Sequence, residues 1–164
     1  MDRLSPERRS ANMARIRSGN TKPELVVRRF LHANGLRYRL HATDLPGKPD
    51  LAFPGRKVCV FVHGCFWHGC PKCIDGTRGV KSNAAYWNAK VSGNRERDSR
   101  QAAELTSAGW KVLTIWECET SDAVKLVQFA EMIRLAGCQP PQKENRTERR
   151  RQSVRLRHAD SRSQ

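Results

Sequence analysis

The sequence has few acidic residues and no long apolar run. Its 164 residues include 31 lysines and arginines but only 16 aspartates and glutamates, so the formal net charge is +15. This excess favours a polyanionic partner, most often nucleic acid, over an acidic membrane surface. No stretch of about eighteen apolar residues exists, so we expect no transmembrane helix and no membrane partner. Residues 1–6 lack the apolar core of a signal peptide, and we therefore expect an intracellular, cytoplasmic protein.

Six cysteines are the next feature, because a reducing compartment favours metal ligands or free thiols over disulfides. Cys70 and Cys73 have the spacing typical of metal ligands, and Cys65 precedes them by five residues. A closed tetrahedral site needs a fourth ligand, and we select Cys118, which follows a predicted buried strand. The other candidates for that position are Cys59, His63, His68 and Cys138. We predict a structural zinc site, with ordinary buried cysteines as the alternative.

Hydrophobic periodicity and turn residues predict an α/β fold. After a basic helix over residues 5–19, the pattern gives helix, strand, strand, strand, helix, strand and helix. The expected ranges are 21–35, 36–40, 50–53, 58–62, 84–108, 110–116 and 121–137, with a loop over 74–81. The buried face of the 21–35 helix is expected to consist of Leu25, Val26, Phe30 and Leu31. This order favours a mixed central sheet flanked by helices.

The chain is long enough for one domain with its own core. We expect residues 1–139 to form that domain, with residues 1–20 as an arm that lies on DNA or as a solvated surface helix. From residue 140 onward, apolar residues nearly vanish and arginines cluster. Residues 140–164 are therefore expected to be a basic, disordered tail.

Two strands bring candidate catalytic residues together. Asp50 opens one predicted strand, and His63 closes the next, so the two side chains are expected on neighbouring strands. In metal-dependent nucleases, an aspartate and a backbone carbonyl in this arrangement hold Mg²⁺ beside the scissile phosphate. Nearby histidines can take a proton from water or stabilise phosphate charge. The alternative is that Asp50, which follows a proline, is only a turn residue.

Phe66 and Trp67 are large aromatics between polar residues that carry chemistry. Two rings on a metal-braced loop indicate a surface that stacks on flat groups such as nucleic-acid bases. The alternative is that both rings fill the core.

Several motifs together resemble the very-short-patch repair endonucleases, the Vsr family. These motifs are Asn12-Met13 and the sequences LPGKPD at 45–50, FVHGCFWH at 61–68, NRERD at 94–98 and VLTIWEC at 112–118. The match spans roughly residues 5–137 in the family's order, and the 61–68 motif is highly specific. The tail lies outside the match.

The resemblance implies a restriction-endonuclease-like fold of the PD-(D/E)xK type. It implies a Mg²⁺-dependent nick in double-stranded DNA on the 5′ side of the thymine in a T·G mismatch. This lesion arises when 5-methylcytosine is deaminated. The family's activity implies a functional link to a cytosine-5 DNA methyltransferase and to mismatch-repair proteins. We expect the protein to act as a monomer.

The resemblance also implies roles for individual residues. Its catalytic positions are Asp50, His63, His68, Glu24 and Asp98. Among them, Asp50 corresponds to the metal-binding aspartate, Glu24 to an acid that orients water on the metal, and Asp98 to one that supports a histidine. The DNA-contacting positions are Met13, Phe66 and Trp67, with the two aromatics wedged beside the mismatch. The chain departs from the family pattern in having Cys70 and Cys73 where a histidine ligand is familiar. It also has Val62, whose backbone carbonyl is expected to bind Mg²⁺, in place of threonine.

Two other functions stay open. One is a restriction-like nuclease that cuts without a mismatch, and the other is a zinc-braced DNA-binding module without catalysis. Glu24 has an alternative role as the capping-box partner of Thr21, and Asp98 as a solvated helix acid. His41 and His32 are expected to be ordinary surface residues.

Overall fold

The computed structural model describes residue 8 and residues 19–79 and 83–136. The predicted N-terminal helix over 5–19, apart from Arg8 and Gly19, lies outside these described residues. The same holds for Met13, Cys138 and the basic tail.

The first long helix, α1, spans Lys22–Ala33 and begins as its sequence predicts. Pro23 lies in the first turn, and Thr21 and Glu24 form a capping box. The predicted apolar face is wrong for two of its residues, because Leu25 and Val26 are 36% and 41% exposed. The buried residues are instead Glu24, Val27, Arg28 and Leu31, which follow helical spacing. Two of them, Glu24 and Arg28, are charged. The ion pair between Glu24 and Arg28 offsets part of the cost of burying these two charges.

The sheet has four strands in sequence order. They are β1 (Arg39–Leu40), β2 (Leu51–Phe53), β3 (Val58–His63) and β4 (Lys111–Trp116). The β1–β2 and β2–β3 pairs are antiparallel, whereas β3 and β4 are parallel, which confirms the predicted mixed sheet. The strand expected over 36–40 contains only Arg39 and Leu40. Leu36, the first residue of the expected range, instead belongs to the end of α1, because its N–H donates to the Leu31 carbonyl.

Four further α-helices follow in the described part of the chain. They are α2 (Cys65–His68), α3 (Ile74–Thr77), α4 (Ala84–Ser107) and α5 (Ala123–Ala136). The loop expected over 74–81 therefore contains one helical turn. Parallel pairing of β3 with β4 requires a long connection, and this connection contains α4. At the start of α5, Asp122 Oδ1 accepts the N–H groups of Val124 and Lys125 at 2.9 and 3.2 Å, so Asp122 caps the helix.

The two faces of the sheet are covered differently. One face packs against α1 and α5 through a single apolar core that includes Leu31, Val60, Ile115 and Phe129. On the other face, α4 lies across β3 and β4, with a cavity of about 430 Å³ between them. His63, His68 and Asp98 line this cavity. None of the helices in the described ranges combines the length and apolar character needed to cross a bilayer.

The orientation of α1 predicts unequal costs for two leucine truncations. Leu31 is fully buried, so Leu31→Ala is expected to lower the free energy of unfolding by about 2–5 kcal/mol. Leu25→Ala on the same helix is the control and is expected to cost less than about 1 kcal/mol. Urea unfolding monitored by circular dichroism measures both. Equal losses would contradict the orientation of α1.

Candidate active site and zinc site

The end of β3 holds Asp50 in a defined position. Asp50 directly precedes β2, and its Oδ2 accepts the backbone N–H of Val62 at 2.8 Å. The N–H and C=O of a strand residue point to the same strand edge, so the Val62 carbonyl also faces the edge where Asp50 lies. Burial raises the pKa of Asp50, and the negative charge of Glu24 adds to this rise. A divalent cation beside Asp50 would offset both effects, so the residues present fit the predicted Mg²⁺ site.

Glu24 lies near Asp50 but already has several hydrogen-bond donors. Its Oε2 accepts from Arg28 at 2.6 Å and from the Asn20 N–H at 3.0 Å. Its Oε1 accepts from the Thr21 hydroxyl at 2.9 Å and from the Thr21 N–H at 3.4 Å. Glu24 is thus both the predicted capping-box residue and a neighbour of Asp50, with ligand atoms of Glu24, His41 and Asp50 within 4.8 Å of one another.

His63 and His68 form a stacked pair. Their ring centroids are 4.0 Å apart, and the ring planes differ by 11°. His68 Nδ1 lies 2.5 Å from Asp98 Oδ2, so the carboxylate accepts from Nδ1–H and leaves Nε2 available for chemistry. Burial lowers the pKa of His63 to about 4, and the charge of His68 contributes to this shift. His63 is therefore neutral near pH 7.

Asp50 and the histidine pair open into one cleft of about 720 Å³. The cleft is also lined by Lys48 and Arg97, which provide positive charge near the carboxylates. A phosphodiester backbone is attracted to such a concave, partly basic surface. The three acidic residues and two histidines that the sequence singled out therefore border one space.

Four cysteines lie together next to this cleft. The sulfur atoms of Cys65, Cys70, Cys73 and Cys118 are all within 4.8 Å of one another. The Cys70 and Cys118 sulfurs are 3.9 Å apart, close to the roughly 3.8 Å expected for thiolates on tetrahedral zinc. The backbone N–H groups of Cys118 and Lys72 point at the sulfurs of Cys65 and Cys70 at 3.3 and 3.4 Å. This donor set fits a structural zinc ion, and Cys118 is the residue that completes it.

Phe66 and Trp67 are half-buried on α2 and belong to a larger aromatic cluster. Both rings make edge contacts with Trp87 on α4, at centroid distances of 5.4 and 5.7 Å. Tyr86, which is 54% exposed, extends the cluster toward solvent. The sequence indicated Phe66 and Trp67 but not Trp87, which lies in the helix predicted over residues 84–108. The Trp67 carbonyl is also held by the side-chain amide of Asn94 at 2.8 Å.

His41 and Arg28 are the residues near the cleft that sequence reasoning missed. His41 was expected at the surface, yet its side chain is only 29% exposed and its Nδ1 lies 4.0 Å from Asp50 Oδ1. Arg28 is 6% exposed and contacts both Glu24 and His41. His32, by contrast, is exposed as expected.

Comparison with known proteins gives consistent results. The sequence profile described as "DNA mismatch endonuclease Vsr" matches residues 1–73. The type II nicking enzyme V.XorIIP of Xanthomonas oryzae pv. oryzae is 53% identical over 121 residues, covering 74% of this chain and 88% of that relative. DNA mismatch endonuclease Vsr of Escherichia coli is 34% identical over 127 residues, covering 77% of this chain and 80% of that relative.

Among solved structures, the catalytic domain of the homing endonuclease I-Bth0305I aligns with a TM-score of 0.50. The identity is 22%, and the alignment covers 73% of this chain and 100% of that domain. With its mixed sheet and flanking helices, the chain has the predicted restriction-endonuclease-like fold. The sequence relatives then define the family, and the chain belongs to the Vsr family of DNA mismatch endonucleases. The resemblance read from the motifs is confirmed.

The packing around the four cysteines predicts that zinc binding there depends on Gly76. A Cβ atom at Gly76 would lie 2.2 Å from the Cys70 carbonyl oxygen, so Gly76→Ala must displace the Cys70 backbone. We expect this variant to bind zinc about 10–100-fold more weakly than the parent protein, which should carry one zinc per chain. Competition with a chromogenic chelator measures the affinity, and elemental analysis measures the content.

Gly79→Ala is the matched control, because a Cβ atom there would meet open space. Its zinc affinity is expected to equal that of the parent protein. Folded parent protein without zinc, or equal affinities for all three proteins, would contradict the zinc assignment.

Proposed function

We propose that the protein nicks double-stranded DNA on the 5′ side of the thymine in T·G mismatches, with Mg²⁺ as the catalytic ion. The observation that carries this proposal is the single cleft that contains Asp50 and the stacked His63–His68 pair. Membership of the Vsr family supports the same activity, as does the relative from Escherichia coli, which is named a DNA mismatch endonuclease.

Asp50 and the Val62 carbonyl are the groups proposed to hold Mg²⁺. A bound Mg²⁺ stabilises negative charge that develops on the phosphate during hydrolysis. Val62 replaces a threonine that is familiar in the family, and only its backbone is used here. The Val62 N–H keeps one oxygen of Asp50 fixed, so the other oxygen is available at the cleft.

The histidine pair is proposed to move protons. Asp98 fixes His68 with its proton on Nδ1, which leaves Nε2 able to take a proton from water. His63 is held neutral by burial and stacks on His68, so its ring keeps His68 in place beside the phosphate. The role expected of Glu24, orienting water on the metal, stays a proposal. Its negative charge beside Asp50 would also favour a cation there, and its own oxygens accept hydrogen bonds from Thr21 and Arg28.

Mismatch recognition is proposed to reside on α2. This helix places Phe66 and Trp67 between a zinc ligand and His68, so a ring inserted into the base stack would act close to the nick. Unstacking costs a few kcal/mol per step and costs less at a mispair, so insertion favours the lesion. Met13 is proposed to insert as well, although it lies outside the described residues.

The remaining expectations also stay proposals. Residues 1–20 and the basic tail over 140–164 are proposed to add affinity for DNA that depends on salt rather than on sequence. Functional links to a cytosine-5 DNA methyltransferase and to mismatch-repair proteins, and action as a monomer, belong to the same proposal.

A second candidate is nicking without a mismatch. The relative from Xanthomonas oryzae, named a type II nicking enzyme, favours this alternative. Separating the two functions requires matched and mismatched DNA of otherwise identical sequence.

The central experiment compares nicking of a T·G duplex with that of the matched T·A and C·G duplexes at equal ionic strength. We expect a nick 5′ of the mismatched thymine that requires Mg²⁺, with matched duplexes cut at least about tenfold more slowly. Asp50→Asn removes the charge that holds Mg²⁺ and is expected to abolish nicking while T·G binding persists. Equal cleavage of matched DNA would support the second candidate, and full activity of Asp50→Asn would remove Asp50 from the mechanism.

Trp67→Ala tests the wedge. Since Trp67 is only half-buried, we expect a loss of stability well below the roughly 3–5 kcal/mol of a core aromatic, together with a large loss of T·G preference. Thermal unfolding and the ratio of T·G to T·A nicking rates measure the two effects.

Trp110→Ala is the matched control. Trp110 is also partly buried but contacts Lys57, and it does not line the cleft. Its removal is expected to leave the T·G preference unchanged. Early unfolding of Trp67→Ala with an intact preference would make Trp67 a core residue.

A further inference from the structure

The cluster around Asp50 contains a buried arginine that the proposed chemistry does not use. Arg28 has a relative exposure of 6%, and charged side chains are rarely buried without partners. Its guanidinium group donates to Glu24 Oε2 at 2.6 Å and to Asn20 Oδ1 at 2.5 Å. Its NH2 nitrogen also lies 2.9 Å from Nε2 of His41. Arg28 therefore joins α1 to the loop that leads to Asp50.

The contact between Arg28 and His41 determines where the histidine carries its proton. A guanidinium group is always protonated and has only donors, so Nε2 of His41 must accept. A neutral imidazole with an accepting Nε2 has its proton on Nδ1. The Nδ1 atom of His41, which then carries the proton, lies 4.0 Å from Oδ1 of Asp50.

This proton position bears on which atoms can bind a cation. Ligand atoms of Glu24, His41 and Asp50 lie within 4.8 Å of one another, as in a three-residue metal site. A protonated Nδ1 cannot ligate a metal, and the Glu24 oxygens already accept from Arg28, Asn20 and Thr21. The arrangement leaves Asp50 as the side chain that is free to bind the cation.

We propose that His41 is a positioning residue, fixed by Arg28, that holds Asp50 Oδ1 through one bridging water and does not bind the metal. A separation of 4.0 Å is too long for a direct hydrogen bond and suits a water that contacts both groups. Asp50 is then restrained on both oxygens, by the Val62 N–H on Oδ2 and by His41 on Oδ1. This inference rests on the proposed role of Asp50 in nicking.

The first test is spectroscopic and needs neither metal nor DNA. Long-range ¹H–¹⁵N correlation spectra of the ¹⁵N-histidine-labelled protein report which ring nitrogen carries the proton. We expect the Nδ1–H form for His41, assigned by the loss of its signals in His41→Gln. An Nε2–H form, or a ring protonated on both nitrogens at neutral pH, would overturn the proposal.

The second test uses two substitutions of His41 that distinguish a hydrogen-bond donor from a metal ligand. Glutamine offers an amide oxygen to Arg28 and an N–H to Asp50, so His41→Gln is expected to stay within about threefold of the parent nicking rate. Glutamate is a good metal ligand but has no donor, so His41→Glu is expected to lose about 10–100-fold in rate or in apparent Mg²⁺ affinity. His32→Gln, which alters an exposed histidine, is the control and is expected to have no effect.

The reverse order, with His41→Glu active and His41→Gln inactive, would show that His41 is a metal ligand and would overturn the proposal. Unfolding midpoints of both variants identify any loss of nicking rate that is caused by misfolding. In that case the position of the His41 proton in the parent protein decides between support and rejection of the proposal. Rates are compared on whichever duplex the parent protein cuts, so failure of T·G selectivity would reject the proposed function without affecting this comparison.

Discussion

Parallel pairing between β3 and β4 is the constraint on which the candidate site depends. The register sets His63 opposite Trp116 at the ends of the two strands. Cys65 and Cys118, each two residues beyond its strand, therefore emerge side by side. The Cys118 N–H then points at the Cys65 sulfur at 3.3 Å. A shift of one residue in this register would move His63 to the other face of the sheet and separate the two cysteines. Catalytic and zinc-site geometry are therefore set by the same set of backbone hydrogen bonds.

The short helix α2 connects the two sites. A single turn of helix is unstable alone, because nucleation is unfavourable and four residues make few internal hydrogen bonds. Here its first residue is a candidate zinc ligand, and its last residue, His68, bonds to Asp98 on α4. Arg95 on α4 adds a hydrogen bond to the Gly69 carbonyl just beyond the helix. Zinc at this position would thus orient the His68 ring and the aromatic residues of α2, although it takes no part in the chemistry.

The sequence was sufficient where spacing along the chain determines proximity in space. The order of elements along the chain, the mixed sheet and the gathering of the four cysteines followed from apolar runs and from the position of Cys118 after a strand. It was insufficient where side chains from distant segments meet. Arg28 and His41 are thirteen residues apart, and their contact depends on how α1 is rotated. Composition predicts a charged residue at the surface, so a periodicity argument selected Leu25 and Val26 for the core and missed the buried ion pair.

Three clusters of side chains that could hold a metal ion lie within one small region, and we propose a different task for each. The cysteines are proposed to hold zinc, Asp50 with the Val62 carbonyl to hold the catalytic cation, and the histidine pair with Asp98 to move protons. Anomalous diffraction from crystals of a T·G complex soaked in Mn²⁺ tests this division most directly. We expect a zinc peak among the four sulfurs and a manganese peak beside Asp50. A manganese ion bound by His63, His68 and Asp98 instead would contradict this assignment.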